Sequence, residues 1–449
     1  MTRSGPARRA RSARRRVLLL NPPGSKPYAR DLFLSGEFDP ELRLPPEELA
    51  LASGVLARAG FTELFVVDAV AEKLSPQACL ARSREIAPDA IVFMTSAASY
   101  AEDAALAARL KSLPGAPTMV GIGDVYRDMQ DLAFGIHAHL DAMLLDPASD
   151  ALARVLEDPS RPVDGALARV GGAIIGGRRA APRGRWLRAL PRWDLFPLGR
   201  YQAPFLGGGP LATIAGEYGC AYLCSYCPMS SVGHRVGEVD DFVVEARALA
   251  KLGVRKLFVR DQSFGLDRAR TLRLLAAWKS EGLGQSWIAS TRADLCDEPL
   301  LRAMKDAGCV AVQIGVDSGD DEVLRVLKKN TTLAQARAAA AAARAAGLSS
   351  WGLFVLGLGV DTADSADRTL KAARELPFDR VTVSVDAQRH GTGFRKELLI
   401  KGLVPPEAMP PEVPTSASVW QGRLGISNAD VFERYQRQRA REPRAGAPV

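Results

Sequence analysis

Two series of short apolar segments that alternate with helical patterns limit the fold of this chain more than any other feature. Such alternation predicts parallel strands that are joined by helices and covered by them on both faces. We expect ligands of such a sheet to bind beyond the carboxyl ends of its strands. The predicted strands of the first series are Val17–Leu20, Leu64–Asp68, Ala90–Thr95, Thr118–Gly121 and Ala142–Leu145.

The second series has six repeats within residues 211–385. A closed eight-stranded β/α barrel takes about 250 residues, so these six repeats predict an open, partial barrel. Its predicted strands are Leu211–Ala215, Lys256–Val259, Ser286–Ala289, Val310–Val316, Gly352–Leu356 and Val381–Val385.

The fold class is therefore predicted to be α/β, with a Rossmann-like doubly wound domain over residues 16–156 and an open partial (β/α)6 barrel over residues 211–404. Residues 157–210 are rich in Gly, Pro and Arg. This composition predicts a connector, with a small hairpin at Gly171–Arg179. A disordered basic tail over residues 1–15 and a C-terminal tail over residues 405–449 complete the prediction.

The composition favours a protein without a membrane span. Of the 449 residues 47% are hydrophobic, yet no apolar run reaches the 18 residues or so that a transmembrane helix needs. Seven of the 59 basic residues lie in the first sixteen positions, so the net charge of +8 is mostly a property of the tail. A basic tail without interleaved aromatic residues is more typical of a solubilising arm than of a nucleic-acid surface. We expect a cytoplasmic protein that binds neither nucleic acid nor a membrane.

Three cysteines lie in one C-x3-C-x2-C run, Cys220, Cys224 and Cys227. Thiolates are soft ligands, and three on one loop can bind three irons of a cubane cluster while the fourth iron stays open. A structural zinc site is the alternative, but such sites usually have four ligands, and the nearby candidate for a fourth is His234. The other cysteines, each predicted to be an ordinary reduced thiol, are Cys79, Cys296 and Cys309.

Polar segments follow the predicted strands of the second series. Because chemistry in β/α barrels takes place at the carboxyl ends of the strands, we expect these segments to lie on one face with the three cysteines. Together they predict a cradle for a cluster and a second ligand. The segments are Arg260–Phe264, Thr291–Asp294, Asp317–Gly319, Gly357–Gly359 and Arg389–Thr392.

This combination resembles the cobalamin-dependent radical S-adenosylmethionine (SAM) enzymes over about residues 16–404. The family motif G-C-x-x-x-C-x-x-C is present as Gly219–Cys227, and Arg292 and Asp294 match its R-x-D pattern. Residues 315–319 match its G-x-E-S-G pattern, with Asp317 in place of the glutamate. The resemblance implies a 4Fe-4S cluster on the three cysteines, with SAM bound to the open iron.

The resemblance also implies which residues contact SAM. Asp261 has the position of an acidic residue near the SAM amino group, and Asp317 that of a residue that reaches the ribose or a neighbouring arginine. Tyr226 has the position of an aromatic residue that packs on the adenine, with core packing as the alternative. His390 replaces a proline of the family and is either a substrate-side catalytic candidate or an exposed loop histidine. The implied SAM contacts are Tyr226, Asp261, Gln262, Arg292, Asp317, Ser318 and Gly357.

The first series resembles the cobalamin-binding domain of the same family. No G-x-G-x-x-G follows the first strand, which disfavours a dinucleotide, and a purely structural Rossmann-like domain is the alternative. The motif D-x-H-x-x-G is absent, and His137 and His139 precede the fifth strand, so the resemblance implies cobalamin without a histidine ligand. The loop over residues 21–45 is long, which is typical of a functional loop. The implied cobalamin contacts are Asn21, Ser96, Gly121, Gly123 and Asp124.

The activity that this resemblance implies is a C-methyltransferase. It would cleave SAM reductively and transfer a methyl group through methylcobalamin to an unactivated carbon of a small-molecule biosynthetic intermediate. The alternatives are a cyclase or ring-rearranging enzyme without net methylation, and a non-catalytic cobalamin or redox sensor. The chemistry requires an external one-electron reductant such as flavodoxin or ferredoxin.

Overall fold

The computed structural model describes residues 14–26, 28–33, 36–37, 43–126, 134, 138–177, 182–203, 206–357, 360–385 and 389–402. Most of the predicted basic tail, all of the predicted C-terminal tail, His137 and Gly359 lie outside these residues. Arg15 was predicted to end the disordered tail, but its guanidinium donates to Leu156 O and to Thr118 Oγ1, each at 2.6 Å. This residue is therefore part of the folded domain.

The described residues form two compact units. The first contains the residues up to Gly219 together with Ser231–Phe258 and Glu281–Ser286. The second contains Cys220–Ser230, Val259–Ser280 and the residues from Trp287 onward. Both units include parts of the second β/α series, so the compact units do not divide at the predicted boundary of residue 210.

The first five predicted strands are all present, and the chain adds several short ones. Strands up to residue 259 are β1 (Val17–Asn21), β2 (Tyr28–Ala29), β3 (Gly36–Glu37), β4 (Leu64–Asp68), β5 (Ala90–Thr95), β6 (Thr118–Gly123), β7 (Ala142–Leu144), β8 (Ala166–Val170), β9 (Ala173–Gly177), β10 (Arg183–Arg185), β11 (Leu211–Ile214), β12 (Glu217–Gly219), β13 (His234–Val236) and β14 (Lys256–Val259). The strands that follow are β15 (Ser286–Arg292), β16 (Cys309–Asp317), β17 (Ser349–Leu356) and β18 (Arg380–Val385).

Helices connect most of these strands, as the alternation predicted. Those within the described residues are α1 (Glu47–Ala59), α2 (Pro76–Ile86), α3 (Tyr100–Lys111), α4 (Ala151–Glu157), α5 (Val239–Lys251), α6 (Arg268–Ser280), α7 (Glu298–Asp306), α8 (Asp321–Val326), α9 (Leu333–Ala345), α10 (Ala363–Glu375) and α11 (Gly393–Ile400). Helix α9 begins with the capping box that Thr332 and Gln335 form, a purely local arrangement. Every helix in the described part of the chain is too short or too polar to cross a lipid bilayer.

The first unit contains a seven-stranded sheet with the order β4-β1-β5-β6-β7-β8-β9. Strand β1 pairs in parallel with both β4 and β5, so the strand order reverses beside it. Val17–Leu20 in β1 are fully buried, as expected of a strand that helices cover on both faces. Asn21 ends β1 and Ser96 follows β5, which places two predicted cofactor contacts at the reversal of strand order, where doubly wound sheets bind ligands.

The hairpin that the sequence predicted within the connector begins earlier and belongs to this sheet. Strands β8 and β9 pair antiparallel, and β8 also pairs antiparallel with β7. The sheet therefore has two more strands than the five that were predicted. Ala166–Val170 is short, and its last two residues are not buried, so it lacks the apolar run that marks the other strands.

The second sheet has the linear order β11-β14-β15-β16-β17-β18. Strands β15 to β18 pair in parallel with their neighbours. A linear order of six strands among the described residues, the last four of them paired in parallel, is the topology of an open barrel. The predicted α/β fold class, with a doubly wound sheet followed by an open partial barrel, is confirmed.

Candidate active site

The three predicted cluster ligands lie on one short loop that follows β12. The loop begins after Gly219, which has a φ of 84°. A Cβ at Gly219 would lie 2.0 Å from Gly233 O, so only glycine fits there. This gives a steric reason for the glycine that precedes the first cysteine of the motif.

The rest of the loop is held by backbone hydrogen bonds within the second unit. Ser225 N donates to Leu327 O, and Phe394 N donates to Ser225 O, both at 3.0 Å. The loop therefore contacts the residue that follows α8 and the first turn of α11. These contacts restrain the backbone between Cys224 and Cys227.

All three cysteines are free thiols, and Cys224 is buried. Burial raises the pKa of Cys224, and it raises the pKa of Cys227 to about 12. Both thiols are therefore protonated at neutral pH until a metal displaces the protons. Three free thiols on one loop, one of them buried, are a donor set that fits an iron–sulfur cluster.

A mononuclear zinc site fits this loop less well. Within the described ranges no three His, Cys, Asp or Glu side chains converge as the ligands of a single metal ion would. His234 Nε2 lies 2.8 Å from Glu217 Oε2, so the proposed fourth zinc ligand already has a partner. In a cubane each thiolate binds a different iron, so the three sulfurs need not converge on one point.

Polar side chains after β14 lie beside the first cysteine. Ser263 Oγ lies 3.5 Å from Cys220 Sγ. Gln262 Nε2 donates to Arg260 O at 2.8 Å, while Gln262 Oε1 is buried and has no hydrogen-bond partner among the described residues. Asp261 is 1% exposed. A buried acceptor without a partner costs free energy unless a ligand satisfies it, so Gln262 fits a ligand contact.

The guanidinium of Arg292, at the end of β15, contacts several groups of the protein. Its guanidinium donates to both carboxylate oxygens of Asp294 at 2.9 and 3.1 Å and to Lys329 O at 2.7 Å. It also lies 3.6 Å from the centre of the Tyr222 ring. The structure thus brings the predicted R-x-D pair together and joins it to the cysteine loop through Tyr222, a contact that the sequence analysis missed.

Asp317 ends β16 at a register shift and has a left-handed backbone, with a φ of 69°. Tyr226 Oη donates to Asp317 Oδ2 at 2.5 Å, and Lys329 Nζ lies 2.5 Å from the same oxygen. Burial and the neighbouring carboxylate raise the pKa of Tyr226 well above its usual range, so the phenol stays a donor. Tyr226 therefore has a polar role that neither sequence-based interpretation anticipated.

Lys329 is the main residue of this site that sequence reasoning missed. Burial favours the neutral amine, but the Asp317 carboxylate outweighs it and raises the pKa of Lys329, so the ammonium is charged. The residue lies in a polar stretch with Lys328 and Asn330 that is typical of a solvated turn. Its spacing from Asp317 carries no motif, so only the fold identifies it.

Other predicted contacts at these strand ends have internal roles. Ser318 is fully buried, and its Oγ lies 3.2 Å from Thr369 Oγ1. Gly357 follows β17 with a φ of 75°. His390 is 0% exposed, so the interpretation as an exposed loop histidine is wrong. Thr392 accepts a hydrogen bond from Arg395 N at 3.1 Å and is the N-cap residue of α11.

Cys309 provides a contrast with the three cysteines of the loop. It is the first residue of β16, whereas Asp317 is the last, so it lies at the opposite end of the strand. Its thiol donates to Ala311 O at 3.3 Å and is 1% exposed. Its predicted exclusion from the ligand set agrees with this position.

The rim of the first sheet carries a buried polar network around Asn21. Asn21 Nδ2 donates to Asp68 Oδ1 at 2.8 Å, and Tyr201 Oη donates to Asp68 Oδ2 at 2.9 Å. Arg30 forms a buried ion pair with Asp103 at 2.8 Å and donates to Asn21 Oδ1. Arg30, which sequence reasoning missed, therefore anchors the described part of the long first loop, and a cleft that Asn21, Arg30 and Asp68 help to line opens beside it.

The other predicted cobalamin contacts are already packed or bonded. Ser96 Oγ lies 2.9 Å from Ser99 Oγ, and Asp124 Oδ1 accepts a hydrogen bond from Ala97 N. A Cβ at Gly121 would lie 2.5 Å from Tyr126 Oη, and one at Gly123 would lie 2.5 Å from Thr95 O. Packing alone accounts for these two glycines, so their contact with cobalamin stays a prediction. His139 precedes β7, as predicted.

The cysteine loop and the strand ends described above fall within one stretch, residues 218–373, that matches the sequence profile of the Radical SAM superfamily. The chain contains a radical SAM domain. The prediction of a radical SAM enzyme is thus confirmed at the level of the domain.

Solved structures extend the likeness beyond the radical SAM domain. The radical S-adenosylmethionine methyltransferase TsrM from Kitasatospora setae, with cobalamin and a [4Fe-4S] cluster bound, has a TM-score of 0.67 at 17% identity, over 86% of this chain and 78% of that chain. The cobalamin-dependent S-adenosylmethionine radical enzyme OxsB has a TM-score of 0.62 at 16% identity, over 86% of this chain and 56% of that chain. These likenesses confirm the resemblance in fold to cobalamin-dependent radical SAM enzymes.

Curated relatives match at low identity. An uncharacterized methyltransferase from Pyrococcus horikoshii is 29% identical over 45% of this chain and 44% of its own length. The anaerobic magnesium-protoporphyrin IX monomethyl ester cyclase from Cereibacter sphaeroides is 24% identical over 73% of this chain and 56% of its own length. The chain thus spans about half the length of the curated relatives it matches.

Proposed function

We propose that the protein is a cobalamin-dependent radical SAM methyltransferase that methylates an unactivated carbon of a small-molecule intermediate in specialised metabolism. The observation that carries the proposal is the loop of three free thiols near Gln262 Oε1, a buried acceptor without a partner among the described residues, in a radical SAM domain. Likeness in fold to TsrM over 86% of the chain supports a second, cobalamin-binding domain.

In this proposal Cys220, Cys224 and Cys227 bind a 4Fe-4S cluster and leave one iron to SAM. When bound, the cluster supplies the electron that cleaves SAM, and cobalamin carries the methyl group. The residues of this chain bind and orient these groups. Gln262 Oε1 accepts a hydrogen bond from SAM, and Asp317 presents Oδ1 to a ribose hydroxyl, since its Oδ2 is already bound twice.

The remaining parts of the proposal concern the first unit and the partners. Cobalamin would be held at the rim of the first sheet, where Asn21, Ser96, Gly121, Gly123 and Asp124 lie at or near strand ends, and it would be held without a histidine ligand. A flavodoxin or a ferredoxin donates the electron. Asp261 and Cys224 are buried, at 1% and 7% exposure, so these two side chains are shielded from water.

The cluster assignment is tested with two buried cysteines. We expect Cys224→Ala, after anaerobic reconstitution, to lose most of the iron and the charge-transfer absorbance of the wild type, and to form no 5′-deoxyadenosine. Cys309→Ala is the matched control, since Cys309 is also buried but lies at the start of β16. Retention of a SAM-cleaving cluster by Cys224→Ala would contradict the assignment.

The methylation assignment is tested with methyl-labelled SAM and candidate pathway intermediates. We expect the label in the product, and one 5′-deoxyadenosine formed per product. A non-catalytic sensor would form no 5′-deoxyadenosine under strong reduction. If the reconstituted protein gave this result, it would contradict an enzymatic role.

A second candidate is a cyclase or ring-rearranging enzyme without net methylation. The observation that favours it is the alignment with the Cereibacter sphaeroides cyclase, which extends over 73% of this chain and therefore beyond the radical SAM domain. In the same assay a cyclase would form 5′-deoxyadenosine and an unlabelled product. The label in the product therefore distinguishes the two activities.

A further inference from the structure

Lys329 is a buried lysine that lies outside every motif of the sequence and yet reaches the predicted SAM site. Its side chain is 8% exposed and that of Asp317 is 10% exposed, and Nζ lies 2.5 Å from Oδ2. Burying two charges is costly, and one attested reason for keeping such a pair is that it fixes one geometry.

Two donors converge on one oxygen of the Asp317 carboxylate. Tyr226 Oη and Lys329 Nζ both contact Oδ2, and no hydrogen bond of the described residues goes to Oδ1. Since the donors approach from two different segments, they fix the plane of the carboxylate as well as its position. Oδ1 is thereby kept as the acceptor that a ligand can use.

Backbone hydrogen bonds and a neighbouring glycine fix the position of Lys329. Lys329 O accepts from Arg292 at 2.7 Å, and Lys329 N donates to Leu324 O at 2.9 Å, so the residue is held from both sides. A Cβ at Gly315 would lie 3.0 Å from Nζ, so glycine leaves the space that the ammonium occupies. This explains the first glycine of the G-x-D-S-G segment by packing against the lysine.

Asp317 is one methylene shorter than the glutamate of the family pattern. Its left-handed backbone and its position at a register shift of β16 move the carboxylate away from an ordinary strand position. A short carboxylate that has to meet a ligand needs a fixed orientation, because it has less reach to adjust.

We propose that Lys329 is a positioning residue, which holds Asp317 through Oδ2 so that Oδ1 accepts a hydrogen bond from the ribose diol of SAM. The inference rests on the proposed function, since it concerns how the radical SAM domain binds SAM. Tyr226 acts as the second donor to the same oxygen.

The test compares SAM with an analogue that lacks the 2′- and 3′-hydroxyls, in protein that carries its reconstituted cluster. We expect Lys329→Met to keep the iron content and the absorbance of the wild type and to bind SAM about tenfold more weakly, the value of one hydrogen bond to a charged group. The analogue should bind the wild type and the variant equally. Lys328→Met, at the exposed neighbouring position, is the matched control and should bind SAM as the wild type does.

A loss that is the same for SAM and for the analogue would overturn the proposal, because it would show general damage to the site. Unchanged SAM binding by Lys329→Met would overturn it as well. If Lys329→Met does not load a cluster, Tyr226→Phe decides, since it removes only the other donor and should show the same selective loss. Failure of the loaded wild type to bind SAM would instead contradict the proposed function.

Discussion

Glu48, in the first turn of α1, provides a sharp test of how burial controls stability in the first unit. Its side chain is 3% exposed, and Oε1 accepts a hydrogen bond from Leu32 N at 3.0 Å. Oε2 is buried and has no partner among the described residues. Burial, together with the charge of nearby Asp31, raises the pKa of Glu48 from its ordinary 4.5 to about 8. The carboxyl is therefore neutral at pH 7 in the folded chain and ionised in the unfolded chain.

The magnitude follows from the linkage between proton binding and folding. Because the folded-state pKa is raised, the free energy of unfolding falls as the pH rises through 4.5 and levels off above about 8. At about 1.4 kcal/mol per pH unit, the wild type loses about 3 kcal/mol by pH 7 and about 5 kcal/mol by pH 9 through this group. Glu48→Gln has nearly the same shape and cannot ionise, so we expect it to escape this loss.

Urea unfolding of the full chain, followed by circular dichroism at pH 5, 7 and 9, measures the effect. We expect the variant and the wild type to be within about 1 kcal/mol at pH 5, and the variant to be more stable by about 3 kcal/mol at pH 7. Glu85→Gln, at an exposed position of α2, should change the free energy of unfolding by no more than about 0.5 kcal/mol. A difference between Glu48→Gln and the wild type that is the same at all three pH values would refute the reasoning, because ionisation would then not be its cause.

Three further predictions concern the cysteine loop. Ser263→Ala removes the hydroxyl that lies 3.5 Å from Cys220 Sγ. This change should lower the midpoint potential of the cluster, because a hydrogen bond to the thiolate favours the reduced state. Redox titration followed by electron paramagnetic resonance measures the potential, and an unchanged potential would contradict the prediction. Gly219→Ala should abolish cluster loading, because the new Cβ would clash with a backbone carbonyl. Gly253→Ala, at a glycine with a similar φ of 81° and no atom within 4 Å of the new Cβ, should load the cluster normally. The iron content of the two variants tests this prediction. In the iron-free protein at pH 7, the pKa of about 12 leaves Cys227 with about a thousandfold less thiolate than an ordinary thiol of pKa 9. Alkylation of Cys227 by iodoacetamide, measured by mass spectrometry, should therefore be slow. Its rate should increase with pH up to about 12. A rate at pH 7 equal to that of a small free thiol would exclude this degree of burial.

Much of the fold could be predicted from the sequence because its signals are local. Apolar runs such as Val17–Leu20 are strands buried on both faces, and the pattern reports that burial directly. The capping box at Thr332 involves atoms three residues apart. Strand β8 was missed because its pairing with β7 depends on residues more than twenty positions away, while its own sequence carries no clear apolar period.

In the candidate site, too, the features that depend on local sequence could be predicted. The spacing of the cysteines predicted the candidate cluster ligands, because a short loop by itself limits how far apart three thiols can lie. The order of strands and helices determined that polar residues gather at the strand ends. By itself, then, the sequence determined the α/β architecture, the open barrel and the residues that can bind a cluster.

Only the tertiary structure decided how the polar groups pair. Arg30 joins Asp103, and Lys329 joins Asp317, across 73 and 12 positions of the chain. Neither pair has a sequence pattern, because a charged residue is buried only when folding brings a counter-charge to it. The same holds for Tyr226. The sequence shows an aromatic residue next to a cysteine, but only the fold shows that its hydroxyl lies 2.5 Å from the Asp317 carboxylate at the end of β16.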